Sequence, residues 1–555
     1  MALEGCLPLP RSRGACRARR WRRNHSSEPS EPFGEILSRK WHSWAARRPF
    51  FLIARLTPDS ASATVLRERK PLPPAGKTDK VYGVISRRSW LKYSLWGLAA
   101  SQLGCRPNAR DNESTKASTF EAPKNCLFMV LDAAAARHFR AWGYGRETTP
   151  NIDSLALGSF VFRNAFSQAS STVPSVRSYF TGRYPNEVRV QLLRSEFTMA
   201  EAFRHNNFRT ALFSENPHIT RTFNYNKGFD VEFSYFTHKA QQQYKQTRSD
   251  VKLESEKMHS DARAWISSAG DSPWFCYIHH LRPHAPYHSP KPFTGRFSQG
   301  LPRGRATGSA YRMRELATAA TPEEAEYLAA LYDENLNYCE NLIGRLVDWL
   351  ETTKRLDDTL IIIASDHGEA FMQHGWLQHG TTTYDEMIHV PLILRFPPPS
   401  GIARGESSAQ VEMLDLFPTL ASVFGFAAVP TLDGQSLLPL LTGVTKVHKD
   451  YVFTLAPRNG HQSFAVRTSE RKYIVKLDQS GQDVEKRELY DLEADPLESS
   501  SLLSDREVSD VLEILLTTRF PRLLGSANPL TAPSFNSPEV EERTRDALEA
   551  LGYIN

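Results

Sequence analysis

"NCLFMVLD", Asn125–Asp132, is an unbroken apolar run that closes on a carboxylate. A strand with one wet face would alternate apolar and polar positions. A run apolar at every position is buried on both faces, the pattern of a strand inside a parallel sheet. The chain repeats the device. "TLIIIASDHGE" (Thr359–Glu369) ends its run at Asp366 and His367, and "PWFCYIHHLRPHAPY" (Pro273–Tyr287) leads through His279 to His284. "HVPLILRFP" (His389–Pro397) is a further apolar strand, and "PEEAEYLAALYDENLNYCENLIGRLVDWLE" is apolar at helical spacing behind a Pro–Glu–Glu start. Strands alternating with helices predict an α/β fold with a mainly parallel sheet. Open sheets of this kind bind ligands beyond the carboxyl ends of their strands, which is where these polar residues collect.

The chain has 555 residues, 40% apolar and 11% aromatic, enough for a large core and more than one domain. Its net charge of +6 is unevenly spread. Residues 1–105 hold 20 Lys+Arg against 7 Asp+Glu, which leaves 48 against 55 for the rest. The folded part is therefore mildly acidic, has no basic face with interleaved aromatics, and predicts no nucleic-acid partner. Six cysteines (Cys6, Cys16, Cys105, Cys126, Cys276, Cys339) show neither metal-ligand spacing nor a disulfide framework, and the last three read as buried thiols. There is no run of 18 or more apolar residues, hence no predicted transmembrane helix.

Residues 1–80, rich in Arg, Pro and Trp and without a clear period, read as disordered or as sequence upstream of the true start. "ISRRSWLKYSLWGLAASQLGC" (Ile85–Cys105) resembles a twin-arginine export signal, with Arg87 and Arg88 followed by Trp90, Leu91 and Lys92. The signal spans 81–105, and Cys105 after Gly104 would suit a lipid anchor, although Gln102 is a poor lipobox residue. The expectation is an exported protein, periplasmic or at the cell surface, with Cys105 as the one position offered for a lipid anchor to the membrane. Residues 106–123 read as a linker.

"SSTVPSVRSYFTGRYP" (170–185) places Thr172 two positions before Pro174, at the mouth of a short helix closed by Gly182 and Pro185. Asp132, Asp366 and His367 are hard oxygen and borderline nitrogen donors suited to one divalent cation, with Mn²⁺, Zn²⁺, Mg²⁺ and Ca²⁺ all open. A cation beside Thr172 would make its hydroxyl usable as a nucleophile, and the helix N-terminus favours an anionic oxygen. His279, His284 and His379 would bind the other oxygens of a tetrahedral anion or protonate a leaving group. Alone, an aspartate at a strand end is more often a helix cap, and a loop histidine more often solvated. Convergence of several on strand ends is what points to a site.

The strings "VLDAAAARHFRAWGYGRETTPNIDSLA", "TVPSVRSYFTGRYP", "FSENPHIT…KGFD", "YIHHLRPHAPY", "SDHGEAFMQHGWLQHG", "HVPLILRFP", "DLFPTL", "LDGQSLLPLLTG" and "ELYDLEADPLE" follow one another between Asn125 and Glu498. In that order they resemble the sulfatase branch of the alkaline phosphatase superfamily. The resemblance implies a large, mainly parallel mixed sheet flanked by helices over 124–442. A smaller C-terminal α+β domain would follow over 443–555. It also implies that His279, His284 and His379 contact the anion, with His374 a weaker candidate and Asn216 and Lys227 structural.

Departures from the family pattern carry as much as the matches. Sulfatases have a cysteine or serine at the position of Thr172, within C/S-x-P-S-R, which is oxidised to the formylglycine that attacks the ester. Oxidising threonine, a secondary alcohol, would give a ketone. The motif's arginine falls at Val176, leaving Arg177, one position later, as the catalytic candidate. Ala133 stands where many sulfatases carry a second aspartate, and Ala135 and Arg137 where an arginine and an aspartate are frequent. The remaining set, Asp132, Thr172, Asp366 and His367, resembles the metal set of the superfamily's phosphoethanolamine and phosphoglycerol transferases. "YDENLNYCEN" lacks the Asp-x-x-x-His pair of two-metal members, so one metal is expected. The first expectation is an exported, metal-dependent hydrolase or transferase of phosphate mono- or diesters working through a covalent Thr172 intermediate. A sulfatase using an unmodified hydroxyl is the second, and an inactive relative binding sulfated or phosphorylated glycans the third. The expected partner is an anionic ester, a phosphorylated or sulfated lipid, glycan or small molecule, met by polar loops such as 235–262 and 285–320.

Overall fold

Six consecutive residues of β1 (Asn125–Leu131) are divided between two hydrophobic layers, and this is why the run is apolar throughout. Cys126, Phe128 and Val130 pack into the core on one face, while Leu127, Met129 and Leu131 pack into the core on the other. Burying each such large side chain contributes roughly 1.5–3 kcal/mol, so a doubly covered strand is anchored from both sides. The computed structural model describes residues 120–521 except 186–190, 236–253, 428, 457–461, 482 and 504–505, all within the unit Asn112–Asn555. Residues 1–119, with the upstream extension, the twin-arginine segment, Cys105 and nearly all of the linker, lie outside the described residues.

The remaining strands of the main sheet are β2 (Phe160–Phe166), β3 (Arg209–Ser214), β4 (Val231–Ser234), β5 (Trp274–His280), β6 (Thr359–Ala364), β9 (His389–Arg395) and β10 (Gly405–Glu412). The order is β10-β2-β9-β6-β1-β5-β3-β4, with only β9 antiparallel to its two neighbours. Its apolar run is as continuous as those of the parallel strands, because what the pattern reports is burial on both faces, not direction. The helix Pro322–Thr352 covers one face, and it opens with a capping box between Thr321 and Glu324.

A two-stranded hairpin, β7 (Ala370–Phe371) with β8 (Leu377–Gln378), follows β6. The C-terminal part is a four-stranded antiparallel sheet, β11 (Val452–Ala456), β12 (Ser463–Arg467), β13 (Arg471–Leu477) and β14 (Val484–Asp491), packed on the helix Arg506–Arg519. Cys126, Cys276 and Cys339 are buried free thiols. Among the described residues no helix is long and apolar enough to cross a membrane.

Strand register fixes where chemistry can occur. Val130 lies opposite both His279 and Ala364, and Ser214 lies opposite His279. The residues that follow β1, β3, β5 and β6 therefore emerge side by side at one sheet edge. The segment after β2, which leads to Thr172, emerges at the same edge, since β2 and β6 both run antiparallel to β9.

Candidate active site

Asp132 follows β1 directly, with its N–H donating to His280 O (3.0 Å) and its carbonyl accepting from His284 N (3.1 Å). The chain then turns through Ala133 at φ 62°, a left-handed conformation that costs a residue with a Cβ about 1 kcal/mol. Hydrogen bonds hold that turn in place. Ala133 N donates to Asp366 Oδ1 (3.1 Å), Ala134 N donates to Ser365 Oγ (2.9 Å), and Tyr332 OH donates to Ala133 O (2.9 Å). The ends of β1 and β6 are thereby locked together.

Thr172 begins the helix Thr172–Thr181, whose last turn is closed by Gly182 at φ 63°. The helix starts at the threonine itself, with Pro174 in its first turn. Thr172 Oγ1 lies 3.2 Å from His367 Nε2 and 3.4 Å from Asp132 Oδ1. His367 Nε2 is 3.5 Å from Asp132 Oδ1 and 3.6 Å from Asp366 Oδ2. A divalent cation with ligands at about 2.1–2.4 Å sets neighbouring donors about 3.0–3.4 Å apart, so these four atoms have close to the spacing of a coordination shell.

Two further features fit a cation here. Asp366 Oδ1 is occupied by the N–H groups of Ala133 and His367, whereas Oδ2 is buried without a hydrogen-bond partner. His367 Nδ1 sits 2.8 Å from Gly368 O, a pure acceptor, so Nδ1 carries the proton and Nε2 presents a lone pair. Burial works to lower the His367 imidazole, but Asp366 and Asp132 outweigh it and raise it. That is the electrostatics of a cradle short of positive charge. Burial would raise the Asp132 carboxyl, but His284, His279 and His367 hold it well below the usual carboxylate range.

His279 Nε2 lies 3.4 Å from Asp132 Oδ2, and Asp132, His279 and Asp366 bring donor atoms within 4.8 Å of one another. His367 is nevertheless the better fourth ligand. His279 approaches the outer oxygen Oδ2, which already accepts from Asn216 Nδ2 (2.5 Å), and its Nδ1 is bound to Tyr277 OH (2.8 Å). His284 and His379 stand on the rim, their rings 4.8 Å apart, with the His379 ring 4.3 Å from that of His367. His379 Nδ1 is held by Glu369 Oε1 (2.9 Å), whose other oxygen accepts from Tyr287 OH (3.0 Å). This leaves His379 Nε2 as the ring atom not taken by that carboxylate.

Not every expected residue reaches the cluster. Arg177 is five positions beyond Thr172, about 140° round the helix, and its guanidinium pairs with Glu196 at 2.7 Å. The expected catalytic arginine is thus a tie between the helix and the loop before residue 198. His374 is stacked on Tyr384 with both ring nitrogens engaged, Nδ1 by Glu386 and Nε2 by Glu498 O. Lys227 is structural, bound to Arg194 O and paired with Glu201. Asn216, expected to be structural, instead grips the Asp132 carboxylate. Glu369 and Tyr277 join the site by holding His379 and His279; the strings "SDHGE" and "YIHH" contain them, but their role shows only in these contacts.

A sulfatase family model matches residues 124–426, and a model of the N-sulphoglucosamine sulphohydrolase C-terminal region matches residues 372–522. The choline-sulfatase of Rhizobium meliloti (strain 1021) is 24% identical over 430 residues, covering 68% of this chain and 82% of its own. Human iduronate 2-sulfatase is 22% identical over 526 residues, covering 72% and 95%. Among solved structures, the phosphonate monoester hydrolase of Agrobacterium radiobacter superposes with a TM-score of 0.58 at 22% identity, covering 70% of this chain and 93% of its own. An enzyme solved with its substrate D-glucosamine-2-N,6-O-disulfate gives the same TM-score at 20% identity, covering 72% and 98%. At such identities the structural likeness speaks for the fold.

Proposed function

The chain belongs to the sulfatase family of the alkaline phosphatase superfamily, an ester hydrolase by that membership, and from that premise we propose that it cleaves phosphate mono- or diesters through a covalent intermediate on Thr172. The observation that carries the proposal is the position of Thr172 Oγ1, 3.2 Å from His367 Nε2 and 3.4 Å from Asp132 Oδ1, in a residue that cannot become an aldehyde. Asp132, Thr172, Asp366 and His367 would hold one divalent cation, whose charge would lower the pKa of the Thr172 hydroxyl and offset that of the ester. Metal identity among Mn²⁺, Zn²⁺, Mg²⁺ and Ca²⁺ is left to metal analysis.

The rest follows from the chain's own groups. Thr172 Oγ1 gives up its proton to solvent and forms a bond to phosphorus as the bond to the leaving oxygen breaks, and His284, on the rim, donates a proton to that oxygen. His279, fixed through Tyr277, supports a non-bridging oxygen. His379 Nε2, turned by Glu369, takes a proton from the water or acceptor alcohol that then displaces Thr172. The helix N-terminus at Thr172 faces the charge that builds on the transferred group.

A second reading, hydrolysis of sulfuric esters by the unmodified hydroxyl, is favoured by the sulfatases among the relatives. Turnover of an aryl phosphodiester, an aryl phosphate and an aryl sulfate by the metal-analysed protein separates the two. Faster cleavage of a phosphate ester supports the proposal, and faster cleavage of the sulfate replaces it with the second reading. We also place the protein outside the cytoplasm, on the twin arginine Arg87–Arg88. Replacing both by lysine should leave the protein in the cytoplasm on cell fractionation, and unchanged export would remove that placement.

A further inference from the structure

The C-terminal sheet reaches the catalytic edge through a buried ion cluster. Lys472, on β13, is fully buried, with Nζ 2.7 Å from Asp385 Oδ1 and 2.7 Å from Glu498 Oε1. Glu498 Oε2 accepts from Asp385 N (2.7 Å), so the three residues close on one another. Asp385 opens the short helix Asp385–Ile388, and the carbonyls of that helix bind the two loops that carry the chemistry. Gly368 N, next to His367, donates to Met387 O (2.8 Å), and Ser167 N, on the segment leading to Thr172, donates to Ile388 O (2.8 Å).

The fit is tight. A Cβ on Gly368 would come within 2.2 Å of Glu386 O, so the helix and the metal loop are in backbone contact. Ser167 Oγ donates to Asp366 O and also meets Ser175 Oγ in the Thr172 helix (2.9 Å). A second grip lies nearby. Leu455 N donates to Gln168 O and Ser170 N donates to Leu455 O, both at 3.0 Å, so β11 lies alongside the segment that enters Thr172.

Resting on the reading that Asp366 and His367 hold a divalent cation, we propose that Lys472 is a positioning residue. It acts through Asp385 and the helix Asp385–Ile388 to hold the Asp366–His367 loop and the Thr172 segment at coordination distance. The chemistry matches the task. A lysine shared by two carboxylates at zero exposure is costly to bury, and a pair of this kind is more a device for fixing one geometry than a source of stability. Partners that orient metal ligands commonly carry 10- to 100-fold in affinity.

The test uses the full chain, stripped of metal and titrated calorimetrically with Mn²⁺ and Zn²⁺, beside kcat and KM for the best ester substrate. Lys472→Met is expected to weaken binding of the better-bound cation by at least about 10-fold. It should lower kcat in proportion and leave KM within a factor of about two, since the ester's rim contacts are untouched. That variant strands two buried carboxylates and risks misfolding, so Lys472→Met/Asp385→Asn/Glu498→Gln, neutral and of similar volume, is measured with it. The expected result is the same loss in a chain that melts cooperatively. Arg487→Met, which breaks an ion pair with Glu513 inside the C-terminal part, should leave the affinity unchanged. Wild-type affinity in the folded triple variant, or an equal loss in Arg487→Met, would overturn the role of Lys472. A wild-type chain that binds neither cation would overturn the metal reading, and this inference with it.

Discussion

Replacing Thr172 by alanine is expected to lower kcat for an aryl phosphodiester by at least about 10³-fold, with the fold intact. The side chain is nearly buried, 8% exposed, yet it packs at the sheet edge and not in either core layer. Loss of one hydroxyl there should cost no more than about 1 kcal/mol of stability. What disappears is the hydroxyl that stands against both candidate metal ligands. Oγ1 sits on the first turn of its helix within 3.4 Å of both His367 Nε2 and Asp132 Oδ1, and no neighbouring hydroxyl has those partners. Ser170 is two residues earlier, and Ser175 is spent on Ser167 and Ala169 O. Thr172→Ser keeps a hydroxyl and should retain activity within about 10-fold, a contrast that a purely structural threonine would not show. Steady-state kinetics with thermal melts on both variants makes the check, and full activity in Thr172→Ala would rule the residue out as nucleophile.

Asp366→Asn is expected to weaken metal binding by more than about 100-fold, since loss of a direct ligand exceeds the usual loss from an orienting partner. The substitution separates the two jobs of this carboxylate. Its Oδ1 accepts from Ala133 N and His367 N, and an amide oxygen can keep both bonds. Its Oδ2 is buried, lacks a hydrogen-bond partner and faces His367 Nε2, and an amide would put an N–H₂ group there instead. The metal-free variant should therefore melt near the metal-free wild type. The difference emerges on adding metal. A ligand at 100 times its dissociation constant stabilises the folded state by about 2.7 kcal/mol, so the wild type should gain several degrees and the variant almost none. Equal metal-induced shifts in the two proteins would exclude Asp366 as a ligand.

The fold and the edge at which the candidate site lies were legible for one shared reason. Strands buried on both faces announce themselves as continuous apolar runs, and the polar residues that terminate them must emerge at one sheet edge. Asp132, Asp366 and His367 follow from that rule, while His279 lies inside β5, one residue before its end. Its limit is direction: β9 has the same composition as its parallel neighbours and runs the other way.

Residues that act by holding others were hidden, because their signal is a partner distant in sequence. Asn216 follows β3 as Asp132 follows β1, and the strand-end rule applies to it equally. In the sequence it reads as structural, because the oxygen it binds at the site is 84 positions away. Glu369 and Tyr277 are of the same kind, each defined by the imidazole it orients. Arg177 shows the geometric side of such a match. Matching it to a family arginine by proximity ignores that one residue on a helix is about 100° of rotation, enough to turn the guanidinium to Glu196.

The most direct measurement is peptide mass spectrometry on enzyme quenched in acid during turnover of a phosphodiester, at a mass accuracy that distinguishes phosphoryl from sulfuryl. The expected result is a phosphoryl group on the peptide containing Thr172, absent from Thr172→Ala. Rapid turnover with Thr172 unmodified throughout, or with the phosphoryl group on another residue, would contradict covalent catalysis at this threonine.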